Sequence, residues 1–210
     1  NTAAGLEVER FGVEPVSWAD IRRELASENG VEHKLVSHDE LARRVRHWRT
    51  SKRAVVFTNG CFDLMHVGHV SLLEAAARQG EILVVAINSD RSIQKLKGQD
   101  RPVIPEQHRA RLLAALNCVD AVIVFDDDTP IPLLRELQPD VLVKGAEYSR
   151  SQVVGADVVA SYGGRIVTVP MIPGLSTTQI LRELQQRTAL NSAADERPQF
   201  SSATETIPER

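Results

Sequence analysis

The side chains best suited to chemistry lie in the stretch TNGCFDLMHVGHVS at 58–71, which follows the apolar run AVVF. His66 and His69 stand three residues apart there, and each imidazole can donate a hydrogen bond to phosphate oxygens that strengthens as charge develops during group transfer. Gly60 lets the backbone approach a ligand closely, and Gly68 permits a tight start to the following helix, where backbone N–H groups attract anions. The spacing therefore predicts a phosphate site.

Three alternative interpretations of this stretch carry less weight. Two histidines can bind zinc, but no third ligand occurs at a metal-site spacing, so we expect no metal-binding side chains. The letters GCFDLMHVG match neither the G-x-G-x-x-G dinucleotide motif nor a Walker loop. A purely structural turn that happens to contain histidines is the simplest alternative.

Cations occur in three further places where a phosphate can be held. The stretch NSDRSIQKLKGQDRPV at 88–103 has four of them around a glycine, namely Arg91, Lys95, Lys97 and Arg101. We interpret this stretch as a loop suited to a triphosphate, with an ordinary surface loop as the alternative. Arg109 lies near a helix start, and for this residue a phosphate contact and a structural role are equally good interpretations. Lys144 and Gly145 directly follow a predicted strand in VKGAEY.

Hydroxyl side chains cluster in GLSTTQILREL at 174–184. Ser176 and Gln179 have capping-box spacing, and Thr177 and Thr178 complete three consecutive hydroxyl residues at the helix start. Such a start offers backbone amides and the helix dipole to an anion. An ordinary helix cap is the alternative.

Composition excludes several classes of function. The chain has 210 residues, 42% of them hydrophobic, and a formal net charge of −3, which suits a compact α/β domain and implies no nucleic-acid surface. No apolar run approaches the ~18 residues of a membrane span. Aromatic residues are only 4%, too few for a base-stacking platform. Cys61 and Cys118 are too few for a disulfide framework, which favours the cytoplasm.

Five short apolar runs predict parallel strands: AVVF at 54–57, ILVVAI at 82–87, AVIVF at 121–125, DVLV at 140–143 and IVTV at 166–169. They are rich in Val and Ile and lack alternation, as expected of strands covered on both faces. Helical patterns at 68–80, 105–117 and 129–137 lie between them. This order predicts an α/β fold, a doubly wound, Rossmann-like open parallel sheet with helices on both faces. The histidines and cations would then meet at its carboxyl edge.

The flanks of this core differ in character. The stretch 37–49 opens with Ser37 and Glu40 in capping-box spacing and predicts a helix before the first strand. A second short helix is predicted at 16–25. Residues 188–210 are polar and predict a disordered tail.

The motifs TNGCFDLMHVGH, NSD, LKG with RPV, VKGAEY and GLSTTQI resemble the nucleotidyltransferase superfamily with the H-x-G-H motif. More closely they resemble the adenylyltransferases of ADP-heptose synthesis, which supply a lipopolysaccharide precursor. The opening NTAAGLEVERFGVEPVSWADI resembles the closing helix of the ribokinase-like sugar kinases fused to many of these enzymes. The resemblance implies the end of a kinase domain plus linker over 1–34 and a nucleotidyltransferase domain over 35–187. Ala146 departs from the family, which often has a second glycine there.

The resemblance also implies the reaction and the residues. AMP would pass from ATP to D-glycero-D-manno-heptose 1-phosphate, releasing pyrophosphate, with Mg²⁺ bridging phosphate oxygens, in a cytoplasmic homodimer that binds only small molecules. The implied catalytic residues are His66, His69 and Lys97. Nucleotide contacts are implied for Thr58, Asn59, Gly60, Phe62, Gly68, Lys95, Arg109, Ser176, Thr177 and Thr178. Acceptor contacts are implied for Asp63, which would hold a hydroxyl, and for Asn88, Asp90, Lys144 and Gly145.

Two other functions remain open. A cytidylyltransferase acting on glycerol 3-phosphate or a related polyol phosphate shares the H-x-G-H motif and the S-T-T helix, although TNGCF and LKG with RPV favour the heptose branch. A nucleotide-binding module without turnover belongs to a different class. The presence of both histidines, the lysines and the hydroxyl cluster in one chain argues against it.

Overall fold

The computed structural model describes residues 30–146, 152–170, 172, 176–183 and 186. The chain divides into two compact units, one ending at Pro173 and the other starting at Gly174. In the first unit, the helices after a 3₁₀ turn at Glu32–Lys34 are α1 His38–Thr50, α2 Val67–Ala77, α3 Asp90–Lys97, α4 Glu106–Ala114, α5 Ile131–Leu137 and α6 Ala156–Ser161. Its strands are β1 Val55–Gly60, β2 Ile82–Asn88, β3 Ala121–Phe125, β4 Val141–Gly145 and β5 Arg165–Val169. In the second unit, residues 177–183 are helical.

The five strands form one sheet in the order β3-β2-β1-β4-β5, and every neighbouring pair is parallel. The chain therefore builds outward from β1 to β2 and β3, and then returns to the other side of β1 for β4 and β5. This reversal leaves a crevice at the carboxyl ends of β1 and β4, which is where open α/β sheets bind ligands. The prediction of a doubly wound parallel sheet is confirmed.

Both faces of the sheet are buried, which explains the unbroken apolar runs. Within β1, Val55 and Phe57 belong to the hydrophobic cluster that also contains side chains of α1 and α5. Val56 between them belongs to the opposite cluster, together with side chains of α2 and α4. Val84 and Leu83 of β2 divide in the same way. Successive side chains of a strand point to opposite faces, so a strand between two cores must be apolar throughout.

All five predicted strands and the five helices predicted within the described residues occur. The first helix, α1, begins where the Ser37 Oγ accepts a hydrogen bond from the Glu40 backbone N–H (3.3 Å). The interpretation of 88–103 as a loop is wrong for its first half, which forms α3. Ser89 caps this helix by accepting a bond from the Ser92 N–H (3.0 Å), and Ile93 anchors it in the core. The helix α6 was also not predicted. The predictions for a helix at 16–25 and for a disordered tail at 188–210 fall on residues outside the described ranges, and so does the kinase end with its linker over 1–34 except for residues 30–34.

Candidate active site

A cavity of about 500 Å³ opens at the carboxyl edge of the sheet, around the ends of β1, β2 and β4. Its lining includes many of the residues predicted as functional, which are Asn59, Gly60, Phe62, His69, Asn88, Lys97, Lys144 and Gly145. These residues come from three separate stretches of the sequence. They meet because parallel strands bring their carboxyl ends to one edge.

The two histidines lie together at the N-terminus of α2, where His66 is the N-cap residue and His69 follows in the first turn. Their ring centroids are 4.0 Å apart with an interplanar angle of 32°. The backbone N–H of His66 donates a hydrogen bond to Nδ1 of His69 (3.4 Å). The ring centroid of Phe62 lies 5.3 Å from that of His69. These contacts fix the orientation of the His69 ring at a helix start that attracts anions.

The protonation state of His69 follows from this environment. Burial, and after it the neighbouring charges of His66 and Lys97, lower the pKa of His69 to about 4. Burial also lowers the pKa of His66. His69 is therefore neutral near pH 7, and its Nδ1 accepts the backbone bond, so the ring proton sits on Nε2. The Nε2–H group remains a donor for a phosphate oxygen.

Two glycines of the motif lie against aromatic rings of neighbouring residues. Gly68 is buried within the first turn of α2 and does not adopt a left-handed φ, so the tight helix start does not explain it. Gly60 also has an ordinary φ, and a Cβ there would lie 3.1 Å from the Phe62 ring. Phe62 itself has φ of 47°, an unusual value for a bulky residue. The turn thus needs Gly60 because the Phe62 ring folds back over it.

Two lysines contribute positive charge to the cavity. Lys144 Nζ at the end of β4 donates a hydrogen bond to the main-chain oxygen of Asn59 at the end of β1 (2.8 Å). Burial lowers the pKa of Lys144 to about 8, so the ammonium still predominates at pH 7. Lys97, the last residue of α3, is exposed and lines the same cavity. The site therefore combines two cations with the donor of His69.

Asp63 was predicted to hold an acceptor hydroxyl, which stays a prediction, and its carboxylate is bonded within the protein. Its side chain is 1% exposed, and Oδ2 accepts a bond from Arg101 Nε (2.6 Å). Oδ1 accepts bonds from the backbone N–H groups of Val103 (2.8 Å) and Ile104 (2.9 Å). Burial acts to raise the pKa of Asp63, but these donors outweigh it and hold the pKa below its usual value. The carboxylate fastens the 101–104 segment instead of facing the cavity.

Arg109 was predicted to contact the nucleotide, which stays a prediction, and its side chain is buried and bonded within the protein. The side chain is 0% exposed and donates to the main-chain oxygens of Cys61 (2.6 Å), Asn88 (2.9 Å) and Ile104 (2.8 Å). It also pairs with the Asp90 carboxylate (2.6 Å), which was predicted to bind the acceptor. Arg109 thereby links the ends of β1 and β2 to the segment before α4, and its pair with Asp90 links it to the start of α3.

Other predicted residues are absent from the lining of the cavity. Lys95 faces Asp128, with 3.5 Å between Nζ and Oδ1. Thr58 is 0% exposed, and its hydroxyl finds no hydrogen-bond partner among the described residues. Ser176 caps the helix of the second unit by accepting a bond from the Gln179 N–H (3.1 Å). The contacts predicted for Ser176 to Thr178 with a triphosphate stay predictions.

Comparison with known proteins places this site in a family. The family model described as cytidylyltransferase-like matches residues 57–205, which is more than half of the chain. The chain belongs to the cytidylyltransferase-like family. The resemblance to nucleotidyltransferases is thereby confirmed.

Relatives of this cytidylyltransferase-like chain include proteins named "Bifunctional protein HldE". The one from Gluconobacter oxydans is 54% identical over 183 residues, covering 87% of this chain and 38% of the relative. The one from Methylobacillus flagellatus is 49% identical over 186 residues, covering 88% of this chain and 38% of the relative. The chain thus spans 38% of the length of these relatives. A solved lipopolysaccharide core biosynthesis protein from Thermoplasma volcanium matches with a TM-score of 0.48 at 24% identity, covering 57% of this chain and 97% of that one, which is too weak a likeness to say anything about function.

The cavity of this cytidylyltransferase-like domain also has lining residues that sequence reasoning missed. Three of them are Cys61, Leu72 and Leu96. The others lie between β3 and α5, which are Asp128, Thr129 and Pro130, or shortly before α6, which are Gln152, Val153 and Val154. The run DDDTP directly after β3 was a usable signal, because the carboxyl end of β3 meets the same edge as β1 and β2.

No group of three or more side chains suited to a metal ion occurs among the described residues. Within the same residues, no helix is both long enough and apolar enough to cross a membrane.

Proposed function

We propose that this chain transfers AMP from ATP to D-glycero-D-manno-heptose 1-phosphate, giving ADP-heptose and pyrophosphate. The observation that carries this proposal is the close pair of His66 and His69 rings at a helix start, with Lys97 and Lys144 in the adjoining cavity. The motifs of the chain resemble the heptose branch of the nucleotidyltransferases. The relatives that it matches are named bifunctional, and this chain would carry one of the two functions.

In the proposed reaction an oxygen of the acceptor phosphate attacks the α-phosphorus of ATP. The bond between that phosphorus and the bridging oxygen to the β-phosphate breaks, and pyrophosphate leaves. The attacking group is already an anion, so no protein nucleophile or strong base is needed, and catalysis consists of positioning and charge neutralisation. His66 and His69 would donate hydrogen bonds to the α- and β-phosphates. A neutral His69 suits this role because its Nε2–H is fixed as a donor by the bond at Nδ1.

The two lysines would divide between the substrates. Lys97 would neutralise the triphosphate, because its ammonium is close enough to His69 to lower the pKa of that imidazole. Lys144 would meet the acceptor phosphate as a point charge. Asn59, Gly60 and Phe62 would contribute backbone contacts at the end of β1. The hydroxyls of Ser176, Thr177 and Thr178 would contact the β- and γ-phosphates.

Mg²⁺ would accompany the triphosphate. The described residues hold no ready metal cage, which fits an ion bound mostly by phosphate oxygens and water. The ion would supply charge neutralisation for the leaving pyrophosphate. We further propose a homodimer in the cytoplasm, where ATP is available, with no nucleic acid partner.

The test is pyrophosphate release from four substrate pairs: heptose 1-phosphate or glycerol 3-phosphate, each with ATP or CTP. We expect heptose 1-phosphate with ATP to give the highest kcat/KM. If CTP with glycerol 3-phosphate were clearly the best pair, the heptose assignment would fail while nucleotidyl transfer survived. ATP binding without pyrophosphate release from any pair would instead favour a nucleotide-binding module.

A further inference from the structure

The segment after β3 reaches the cavity, and nothing in the proposed mechanism uses it. Asp128, Thr129 and Pro130 all line the cavity beside the lysines. Among the described residues, Asp128 is the only carboxylate that does so. A single carboxylate in a cavity built for phosphates needs an explanation.

The first carboxylate of this run is already engaged by its own protein. Asp126 accepts hydrogen bonds from the Ser89 hydroxyl and from Arg91, which holds the start of the segment against the cap of α3. The main-chain oxygen of Asp127 accepts a bond from Ser92 Oγ (3.3 Å). Asp128 differs, because its carboxylate forms a loose ion pair with Lys95, with 3.5 Å between Oδ1 and Nζ, and its side chain is 74% exposed. An ion pair so exposed is weak and yields easily to a ligand.

The charges of the cavity decide what Asp128 can bind. Phosphate groups belong near Lys97, Lys144 and the histidines, and a carboxylate beside them would repel them. The ligand surface facing Asp128 must therefore carry hydrogen-bond donors instead of negative charge. Asn88 also lines the cavity, but its Oδ1 is a neutral acceptor, and a charged acceptor makes the stronger bond to a hydroxyl.

We propose that Asp128 determines specificity by accepting hydrogen bonds from neighbouring hydroxyl groups of a bound sugar. A carboxylate has two oxygens that can each accept from one hydroxyl of such a pair, and charged acceptors make the stronger bonds. The sugar is the acceptor or the ribose of the nucleotide, which present the same chemistry. This inference rests on the proposed function, since it assumes a sugar phosphate and a nucleotide in this cavity.

The test compares Asp128→Asn with the neighbouring Asp127→Asn as a matched control. Pyrophosphate release is measured with heptose 1-phosphate as acceptor, and with ATP or 2′-deoxy-ATP as donor. We expect Asp128→Asn to raise either the KM for heptose 1-phosphate or the KM for ATP about tenfold, which is the scale of weakening a hydrogen bond to a charged group. A rise for heptose 1-phosphate assigns the acceptor. A rise for ATP that is absent with 2′-deoxy-ATP assigns the ribose. Asp127→Asn should leave every KM within about twofold of wild type, the range of surface substitutions.

Two results would overturn the proposal. One is a pair of KM values for Asp128→Asn that both stay within about twofold of wild type. The other is a higher Mg²⁺ requirement with unchanged KM values, which would assign Asp128 to the metal. If wild type released no pyrophosphate, the proposed function would have failed, and calorimetric binding of heptose 1-phosphate and ATP to the same variants would decide the role of Asp128 separately.

Discussion

A Cβ atom added to Gly68 would lie 3.0 Å from both Cε1 and Nδ1 of the His66 imidazole. This relationship explains why a glycine separates the two histidines, since any other residue at 68 would push the His66 ring from its place against His69. The neighbour that would have to move is the group proposed to contact phosphate. We therefore expect Gly68 to affect the proposed chemistry through the position of the His66 ring and not through its own backbone conformation.

Gly68→Ala should lower turnover by about tenfold to a hundredfold, because displacing a catalytic group by a fraction of an ångström is costly. The melting temperature should not fall, since alanine favours a helix over glycine by about 1 kcal/mol. Pyrophosphate release and thermal unfolding of the same preparation provide the measurements. Glu74→Ala on the exposed side of α2 is the control and should change neither. Full activity in Gly68→Ala would contradict the argument.

His69→Ala should lower kcat by about a hundredfold, the effect of losing one preorganised donor to the developing charge. The dissociation constant for ATP should change far less, because the lost bond is strongest in the transition state. His108→Ala removes an exposed imidazole in α4 and serves as the control. An equal loss in ATP binding and in kcat would instead assign His69 to ground-state binding.

The lowered pKa of His69 predicts acid sensitivity of the fold. The unfolded chain binds a proton at this residue below its ordinary value of 6.5, whereas the folded chain does so only near 4. Stability should therefore be fully present above about pH 6.5 and should decline as pH falls toward 4. His69→Gln cannot take up this proton, so its melting temperature should fall less between pH 7 and pH 5. If the melting temperatures of the variant and wild type fell equally between pH 7 and pH 5, His69 would not contribute to the acid sensitivity of the fold.

The fold was predictable because burial on both faces leaves a direct mark on the sequence. Leu83 and Val84 both lie at 1% exposure or less, on opposite faces of β2, so the run had to be apolar without alternation. The proximity of the two histidines was predictable for another reason, because residues three apart at a helix start lie within one turn of each other. The helix α3 escaped prediction because it is short, and Gly98 with its surrounding cations is equally typical of a loop.

The bonds of Asp63 and Arg109 were not predictable, because they depend on distant parts of the chain. Asp63 bonds to the backbone of Val103, 40 residues away, and Arg109 bonds to that of Cys61, 48 residues away. A sequence shows that a residue is charged and near a functional strand end, but not whether its side chain turns to the cavity or to the protein. Asp128 was not predicted to line the cavity because it follows β3, which lies two strands away from β1, the strand that precedes the histidines.

Lys144 should make acceptor binding sensitive to alkaline pH. Its pKa of about 8 means that its charge is present below pH 8 and is lost as pH rises past that value. The KM for heptose 1-phosphate should therefore rise between pH 7 and pH 9 in wild type. In Lys144→Met this KM should be about tenfold above the wild-type value at pH 7 and should not change with pH, because a hydrogen bond to a charged group is lost at every pH. A wild-type KM independent of pH would remove Lys144 from the acceptor site.

Replacing Arg109 distinguishes a structural role of its side chain from a role in binding substrate. Arg109→Met should destabilise the fold by about 3 kcal/mol or more, because it leaves the buried main-chain oxygens of Cys61 and Asn88 without their donor. Arg111→Met in the same helix is the matched control, since its ion pair with Glu32 is exposed and worth little. Urea unfolding of both variants gives the two free energies. If Arg109 instead contacted ATP, the variant would unfold like wild type and show only a raised KM for ATP.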